Sequence, residues 1–358
     1  MPEPVQHSRL AWRPADHRSR LVLDVAAGRK VGEAARLGHE ELLLLSRHGL
    51  LGLAATSSAE SLRLAARPLY ARLLARQKVM VDVLSSLLGE LAARQVPVAI
   101  LKGPYLAEAA YRRPEQRTFT DIDLLVPRRA LDRALAVLAA HPTARPLPPQ
   151  APKGDKRNVP FADPSGVRFD VDLHWDLFSY SQLLGEAEGA TDWAWREARG
   201  PEEGPLGPIW QLPQPAHLGF LCTHALLDHR FRLILFRDLA EIAAGRVDWP
   251  ELVGFVERWG LRSTTYLALL IAARAVGAAV PEWVLAGLRP HSVVMRAAER
   301  LLERTDLVRF EGHRLAALNL AIVLQHDRPW GRLRLAARAP FALPGWRRHV
   351  DSGLASRG

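Results

Sequence analysis

An acidic pair interrupts a short apolar run in the first half of the chain. Residues 120–126 read Thr-Asp-Ile-Asp-Leu-Leu-Val, which has the length and composition of a buried β-strand. Alternate side chains of a strand share a face, so Asp121 and Asp123 point to one side of it and the apolar residues to the other. Neighbouring carboxylates repel each other unless a cation neutralises them. The segment therefore predicts a strand with one buried face and one charged face; the simpler alternative is an edge strand whose acids face water.

The cation that best suits this pair is Mg²⁺. It prefers hard oxygen ligands, takes one or two carboxylates from a protein and completes its shell with substrate phosphates. An Asp-x-Asp pair is too short and too common a pattern to establish such a site alone. Its interpretation therefore depends on what the neighbouring segments supply.

A phosphate-binding turn is predicted upstream of the acids. Residues 96–101 form a short β-branched apolar run, and Lys102-Gly103 follows it at the start of a helix that Pro104 opens. Glycine lets backbone N–H groups approach a phosphate, a helix N-terminus favours an anion, and Lys102 adds a positive charge. Arg117, just before the acidic strand, is expected to reach a triphosphate. The alternatives are an ordinary strand-to-helix turn and a solvated loop arginine.

A second acidic strand is predicted at residues 167–175, which read Val-Arg-Phe-Asp-Val-Asp-Leu-His-Trp. Asp170 and Asp172 lie on one face of this strand, and either could complete a site of three carboxylates. The alternative is a half-exposed strand. The pattern of the residues leaves the choice between the two acids open.

The chain divides into regions of different character. Residues 1–95 are largely helical in pattern, and the region 96–200 alternates short strands with helices. A Gly/Pro/Glu-rich linker at 200–207 leads to a helical region at 208–330, and a basic tail occupies 331–358. Strands are expected at 96–101, 119–126, 158–162 and 167–175, and helices at 104–111 and 128–140.

Composition restricts the classes of function. The net charge of +10 would attract phosphorylated ligands, but no motif of interleaved basic and aromatic residues accompanies it, so nucleic-acid binding is disfavoured. The single cysteine, Cys222, excludes an intrachain disulfide and a metal site built from several cysteines. No apolar run approaches the ~20 residues of a membrane span, and the N-terminus lacks the apolar stretch of a secretory signal. We expect a cytoplasmic protein without a membrane partner.

In this order, the motifs resemble the polymerase-β-like nucleotidyltransferase superfamily, and more narrowly a bacterial family of uncharacterised nucleotidyltransferases. The matching elements are an apolar strand, Leu-Lys-Gly, a helix, an arginine, Asp-Ile-Asp-Leu-Leu-Val, a second helix and Asp-Leu-His-Trp at 172–175. The resemblance implies an α+β fold in which a small mixed-sheet core is flanked by N-terminal and C-terminal helical regions. One departure is the turn, where Lys102-Gly103 replaces the Gly-Ser that is usual in the superfamily.

The resemblance also implies roles for individual residues. Asp121, Asp123 and Asp172 would be catalytic and would hold two Mg²⁺ ions, with Asp172 favoured over Asp170. The nucleoside triphosphate would contact Lys102, Gly103 and Arg117. Four residues would line the acceptor side of the cleft: His174, His224, Arg232 and Asp238.

The implied activity is transfer of a nucleoside monophosphate from a nucleoside triphosphate to a hydroxyl on a small molecule, peptide or protein. Two other classes of function stay open at this point. One is a glycosyltransferase-like enzyme that uses a nucleotide sugar, and the other is a non-catalytic, antitoxin-like binding module. A second metal site is a further alternative for His224, Asp228 and His229, but polar groups that pack between helices are the favoured explanation.

Overall fold

A four-stranded mixed sheet lies at the centre of the fold in the computed structural model. Its strands follow the order β1-β2-β4-β3, in which β2 and β4 are parallel and the two outer pairs are antiparallel. The bounds are β1 Ala99–Ile100, β2 Asp121–Leu125, β3 Lys156–Ala162 and β4 Arg168–His174. The predicted α+β class with a small mixed sheet is confirmed.

Helices surround this sheet. The structure describes residues 14, 16–32, 37–145, 156–178, 187–227 and 231–309, so the predicted tail at 331–358 lies outside it. The helices before the acidic strand are α1 His17–Ala26, α2 His39–Arg47, α3 Leu51–Ala55, α4 Glu60–Ala93 and α5 Pro104–Ala109. Those after it are α6 Leu131–Ala140, α7 Ala190–Glu197, α8 Gln214–Leu227, α9 Leu233–Ala243, α10 Trp249–Trp259, α11 Arg262–Ile271, α12 Glu282–Leu288 and α13 Val293–Glu303.

Strand β1 and the segment at 199–202 differ from the sequence prediction. The first strand was expected at 96–101, yet β1 contains only two residues. The carbonyl of Val98 instead accepts a hydrogen bond from the backbone N–H of Trp210, at 2.8 Å. The expected linker at 200–207 is also wrong in its first half, because β5 (Arg199–Glu202) pairs with β6 (Ile209–Gln211). A two-stranded ribbon therefore lies beside β1.

One face of the sheet is apolar. Ile122 and Leu124 of β2, Val171 and Leu173 of β4, and Val159 of β3 are all fully buried. They share an apolar cluster with residues of α4 and α6. Because successive strand residues point to opposite faces, this packing turns the acids of β2 and β4 to the other face. Burial of the apolar side chains on one face of the sheet therefore leaves the acids of β2 and β4 on the opposite face.

A second apolar cluster joins the described helices before the sheet to those after it. It includes residues of α1–α3 and of α8–α13, for example Val22 and Leu45 together with Phe231 and Leu267. Helix α8 is buried on nearly all sides, as expected for a helix that is apolar around its whole circumference. The limits of the predicted regions 1–95, 96–200 and 208–330 stay predictions, since this cluster draws on the first and the last of them. Among the described residues, no helix is both long enough and apolar enough to cross a bilayer.

A buried ion pair ties the loop before β2 to α9. The Nε of Arg117 donates to Oδ1 of Asp238 at 2.6 Å, and its Nη2 donates to Oδ2 at 2.7 Å. The hydroxyl of Tyr111 donates to the same carboxylate at 2.8 Å. Burial would lower the pKa of Arg117, but Asp238 outweighs burial and the pKa is raised. Arg117 is therefore charged, and its geometry with Asp238 is the two-pronged one that guanidinium and carboxylate groups favour.

Replacement of Asp238 by Asn would leave the guanidinium of Arg117 buried without its counter-ion. We expect the free energy of unfolding in urea to fall by about 3–5 kcal/mol, the usual cost of breaking a buried pair from one side. Glu257→Gln is the control, because it removes the same charge from an exposed position of α10. It should change stability by less than about 0.5 kcal/mol. Equal effects of the two substitutions would contradict a structural role for the pair.

Protonation of His48 is expected to weaken the fold at low pH. The ring lies between α2 and the start of α9, where Nε2 donates to the carbonyl of Val308 at 2.9 Å and Nδ1 accepts from the N–H of Leu233 at 3.3 Å. The second of these bonds needs the neutral ring, because a protonated Nδ1 cannot accept. Burial lowers the pKa of His48 to about 4, although the bond to Val308 opposes that shift. Between that value and about 6.5, the unfolded chain binds a proton that the folded chain does not.

Stability should therefore be complete above pH 7 and should fall on acidification, by about 2 kcal/mol between pH 7.5 and pH 5. Urea unfolding at these two pH values measures the change. In His48→Gln the contribution of this residue disappears, so the difference between the two pH values should shrink by that amount. An unchanged difference would show that His48 is not the titrating group.

Candidate active site

The parallel pairing of β2 with β4 brings the two acidic segments together. Asp123 lies opposite Asp172, and Asp121 lies opposite Asp170. Paired residues of neighbouring strands point to the same face, so all four carboxylates lie on the charged face of the sheet. Asp123 and Asp172 are only 2% and 7% exposed, whereas Asp170 is an exposed residue. Burial therefore distinguishes the two candidates for the third carboxylate and favours Asp172.

Asp123, Asp172 and His174 form a compact cluster. Each offers one ligand atom, and these atoms all lie within 4.8 Å of one another. Nε2 of His174 lies 3.2 Å from Oδ1 of Asp123. Carboxylate oxygens and imidazole nitrogens are both metal ligands, and a buried group of them fits a divalent cation. His174 was predicted on the acceptor side of the cleft; the structure places it against Asp123.

Asp121 lies beside this cluster at the more open end of the charged face. Its side chain is 34% exposed, and its Oδ2 is 3.4 Å from Nζ of Lys102. The same ammonium group lies 3.0 Å from Oδ2 of Asp123. Lys102 therefore bridges the two acids of β2, as a metal ion would. This lysine was expected to contact a phosphate, and in the structure it neutralises the acidic pair.

Asp123 and Lys102 stabilise each other's charged forms. Burial would raise the pKa of Asp123, but Lys102 and His174 outweigh burial and hold the pKa well below its usual range. Burial would likewise lower the pKa of Lys102, but Asp123 and Asp121 outweigh it and the pKa is raised. The acid and the lysine are therefore both ionised at neutral pH. Opposite charges inside the protein offset the cost of removing each from water.

Strand β3 supplies two residues that the sequence analysis missed. The ammonium group of Lys156 contacts Oδ2 of Asp172, and Nδ2 of Asn158 donates to Oδ1 of Asp172 at 3.0 Å. The strand was expected to begin at residue 158, so Lys156 lies before that start and Asn158 lies on it. The signal that could have found them is the tight turn at 163–166, because an antiparallel hairpin around it places residues 156 and 158 opposite 174 and 172.

The turn after β1 has the backbone that its glycine permits. Gly103 has φ 57° and ψ −110°, a conformation that L-residues rarely adopt. A Cβ there would also lie 3.3 Å from Cβ of Phe119. Helix α5 begins at Pro104 as predicted, but it ends at Ala109 and has only six residues. Phosphate binding by Gly103 stays a prediction.

Arg117 and Asp238, predicted on opposite sides of the substrate, bind each other instead. The remaining guanidinium nitrogen of Arg117 donates to the carbonyl of Thr118 at 2.5 Å. The structure therefore uses the donors of Arg117 to hold the loop before β2 against α9. A direct contact of either residue with nucleotide or acceptor stays a prediction.

The helical region also contributes to the site. His224 of α8 is close enough to lower the pKa of Asp123, and Arg232, just before α9, is close enough to oppose the raised pKa of Lys102. The ring of His224 stacks on Phe220 with 5.7 Å between centroids. Their contact with an acceptor stays a prediction, while Asp228 and His229 of the same predicted cluster lie outside the described residues.

The comparison with known families agrees with this arrangement. A sequence model of uncharacterised nucleotidyltransferases matches residues 39–277, which hold both acidic strands and the helices from α2 to α11. A search of curated proteins finds no significant match. The matched stretch covers more than half of the 358 residues and confirms the resemblance seen in the motifs. The chain therefore belongs to the uncharacterised nucleotidyltransferase family and is a transferase enzyme.

Proposed function

We propose that this enzyme moves a nucleoside monophosphate from a nucleoside triphosphate to a hydroxyl group of a small molecule, peptide or protein. The observation that supports this most directly is the buried cluster of Asp123, Asp172 and His174, whose ligand atoms lie within 4.8 Å. Such a cluster on the charged face of the sheet suits a divalent cation, and the family supplies the nucleotide as substrate. For the acceptor, only the reacting group, a hydroxyl, is proposed.

Mg²⁺ is the proposed ion, and two such ions would be held by Asp121, Asp123 and Asp172. Bound there, the ions would stabilise negative charge on the attacking and departing oxygens. The fit rests on the donor set, which is mainly carboxylate oxygen and is buried enough to favour charge neutralisation. His174, which lies 3.2 Å from Asp123, holds that carboxylate in place.

The residues around the acids have separate tasks in this proposal. Lys102 and the backbone at Gly103 bind the phosphates, since a buried ammonium group and a glycine turn both favour an anion. Asp172 accepts the proton of the acceptor hydroxyl. The acceptor oxygen forms a bond to the α-phosphorus, the bond from that phosphorus to the bridging oxygen breaks, and pyrophosphate leaves with the electron pair. His224 and Arg232 face the acceptor from the helical region.

Transfer of label tests the proposal. The protein is incubated with Mg²⁺, host extract and each nucleoside triphosphate labelled at the α-phosphate, and both the labelled product and released pyrophosphate are measured. We expect Asp123→Asn and Asp172→Asn to reduce transfer by about 10³-fold, because each removes a charge on which the transition state depends. Circular dichroism checks that the variants fold.

Asp170→Asn is the matched control, since it removes the same charge from an exposed position of β4, two residues from Asp172. Its transfer rate should stay within about threefold of the wild type. Labelling by Asp123→Asn at the wild-type rate would contradict the mechanism. Release of nucleoside diphosphate in place of pyrophosphate would contradict the reaction class, and label on the enzyme itself would identify a protein acceptor.

A further inference from the structure

Both oxygens of Asp172 are already engaged by the protein. Oδ1 accepts a hydrogen bond from Asn158 at 3.0 Å, and Oδ2 contacts the ammonium group of Lys156. A divalent cation at Asp172 would therefore lie beside a positive charge that occupies the same carboxylate. The ammonium group and the ion would compete for the same carboxylate oxygen, so the lysine must move away or the ion binds weakly.

The two lysines of the site differ in their freedom to move. Lys102 is 6% exposed and is held between Asp121 and Asp123. The side chain of Lys156 is 44% exposed and lies at the first residue of β3. A lysine ammonium on a flexible stem can leave such a position for water or for a nearby phosphate at little cost. Lys102 is therefore the more confined of the two counter-ions, and Lys156 is the one that leaves its carboxylate more readily.

The net charge of the site also favours the release of Lys156 when a triphosphate binds. Asp121, Asp123 and Asp172 face the two ammonium groups of Lys102 and Lys156, which leaves one net negative charge among these five side chains. That charge attracts a free divalent cation only weakly. A triphosphate brings several further negative charges, and these can accept the ammonium group that Asp172 gives up. It is notable that only five of the 48 basic residues are lysines, yet two of those five contact the acids.

We propose that Lys156 is a displaceable counter-ion that competes with the divalent cation for Asp172 and is released to the triphosphate. Metal and nucleotide then bind cooperatively, and each strengthens the binding of the other by the same factor. The nucleotide half of this inference rests on the proposed function. The competition at Asp172 does not, because it concerns the metal alone.

Binding of Mn²⁺ to the full chain, followed by electron paramagnetic resonance without nucleotide, tests the competition. We expect Lys156→Met to bind Mn²⁺ about tenfold more tightly than the wild type, because the competing charge is gone. Lys156→Arg keeps the charge and should bind about as weakly as the wild type. Lys30→Met, which removes an exposed lysine just after α1, is the control for total charge and should also match the wild type.

The gain must also depend on Asp172. In an Asp172→Asn background, Lys156→Met should no longer tighten Mn²⁺ binding, which isolates the coupling between the two side chains. If Lys156→Met binds Mn²⁺ no more tightly than Lys30→Met, the proposal is overturned. A gain that persists in the Asp172→Asn background overturns it equally, since the competition would then lie elsewhere.

A triphosphate analogue with a methylene group between the α- and β-phosphates tests the cooperative half. Adding it should strengthen Mn²⁺ binding by the wild type about tenfold more than binding by Lys156→Met, in which the carboxylate is already open. Equal strengthening of both overturns the release of Lys156 to the triphosphate. If the analogue binds to neither protein while Lys156→Met still binds Mn²⁺ more tightly, the proposed function fails and the competition at Asp172 stands.

Discussion

The parallel pairing of β2 with β4 is the constraint on which the site depends. It sets Asp123 beside Asp172, two residues that lie far apart in the chain. A shift of one residue in this pairing would turn one strand's acids into the apolar cluster under the sheet, at a large cost in buried charge. Parallel strands also need a crossing connection, and here it includes α6, which covers the apolar face. The same packing that stabilises the sheet therefore fixes the positions of the acids.

Buried acids require cations, and the whole fold contributes to meeting that need. Lys102 comes from the turn after β1 and Lys156 from β3, and His224 of the helical region lies within electrostatic range of Asp123. The pair of Arg117 with Asp238 holds the loop before β2 to α9. The helical region is therefore part of the site and shares in its electrostatics, which agrees with a family match that extends well beyond the sheet.

Local patterns were enough to predict the sheet and its charged face, because period-two alternation in 120–126 and 167–175 is a property of each segment alone. They were not enough for contacts between segments. The mutual binding of Arg117 and Asp238 arises when two distant elements meet. The family resemblance had implied a nucleotide contact for Arg117 and an acceptor contact for Asp238. The ribbon formed by 199–202 was missed because Gly and Pro dominate its composition, and pairing with β6 overrides that local preference. Lys156 required the register of β3 against β4, which follows from the turn at 163–166 and not from the composition of β3 itself.

Helix α8 connects the turn after β1 with the neighbourhood of the acids. Nε2 of its His217 donates to the carbonyl of Leu101 at 2.6 Å, one residue before Lys102. His224 lies two helical turns further along the same side of α8, within electrostatic range of Asp123. One helix of the C-terminal region therefore holds both the strand end that leads into Lys102 and a histidine near Asp123.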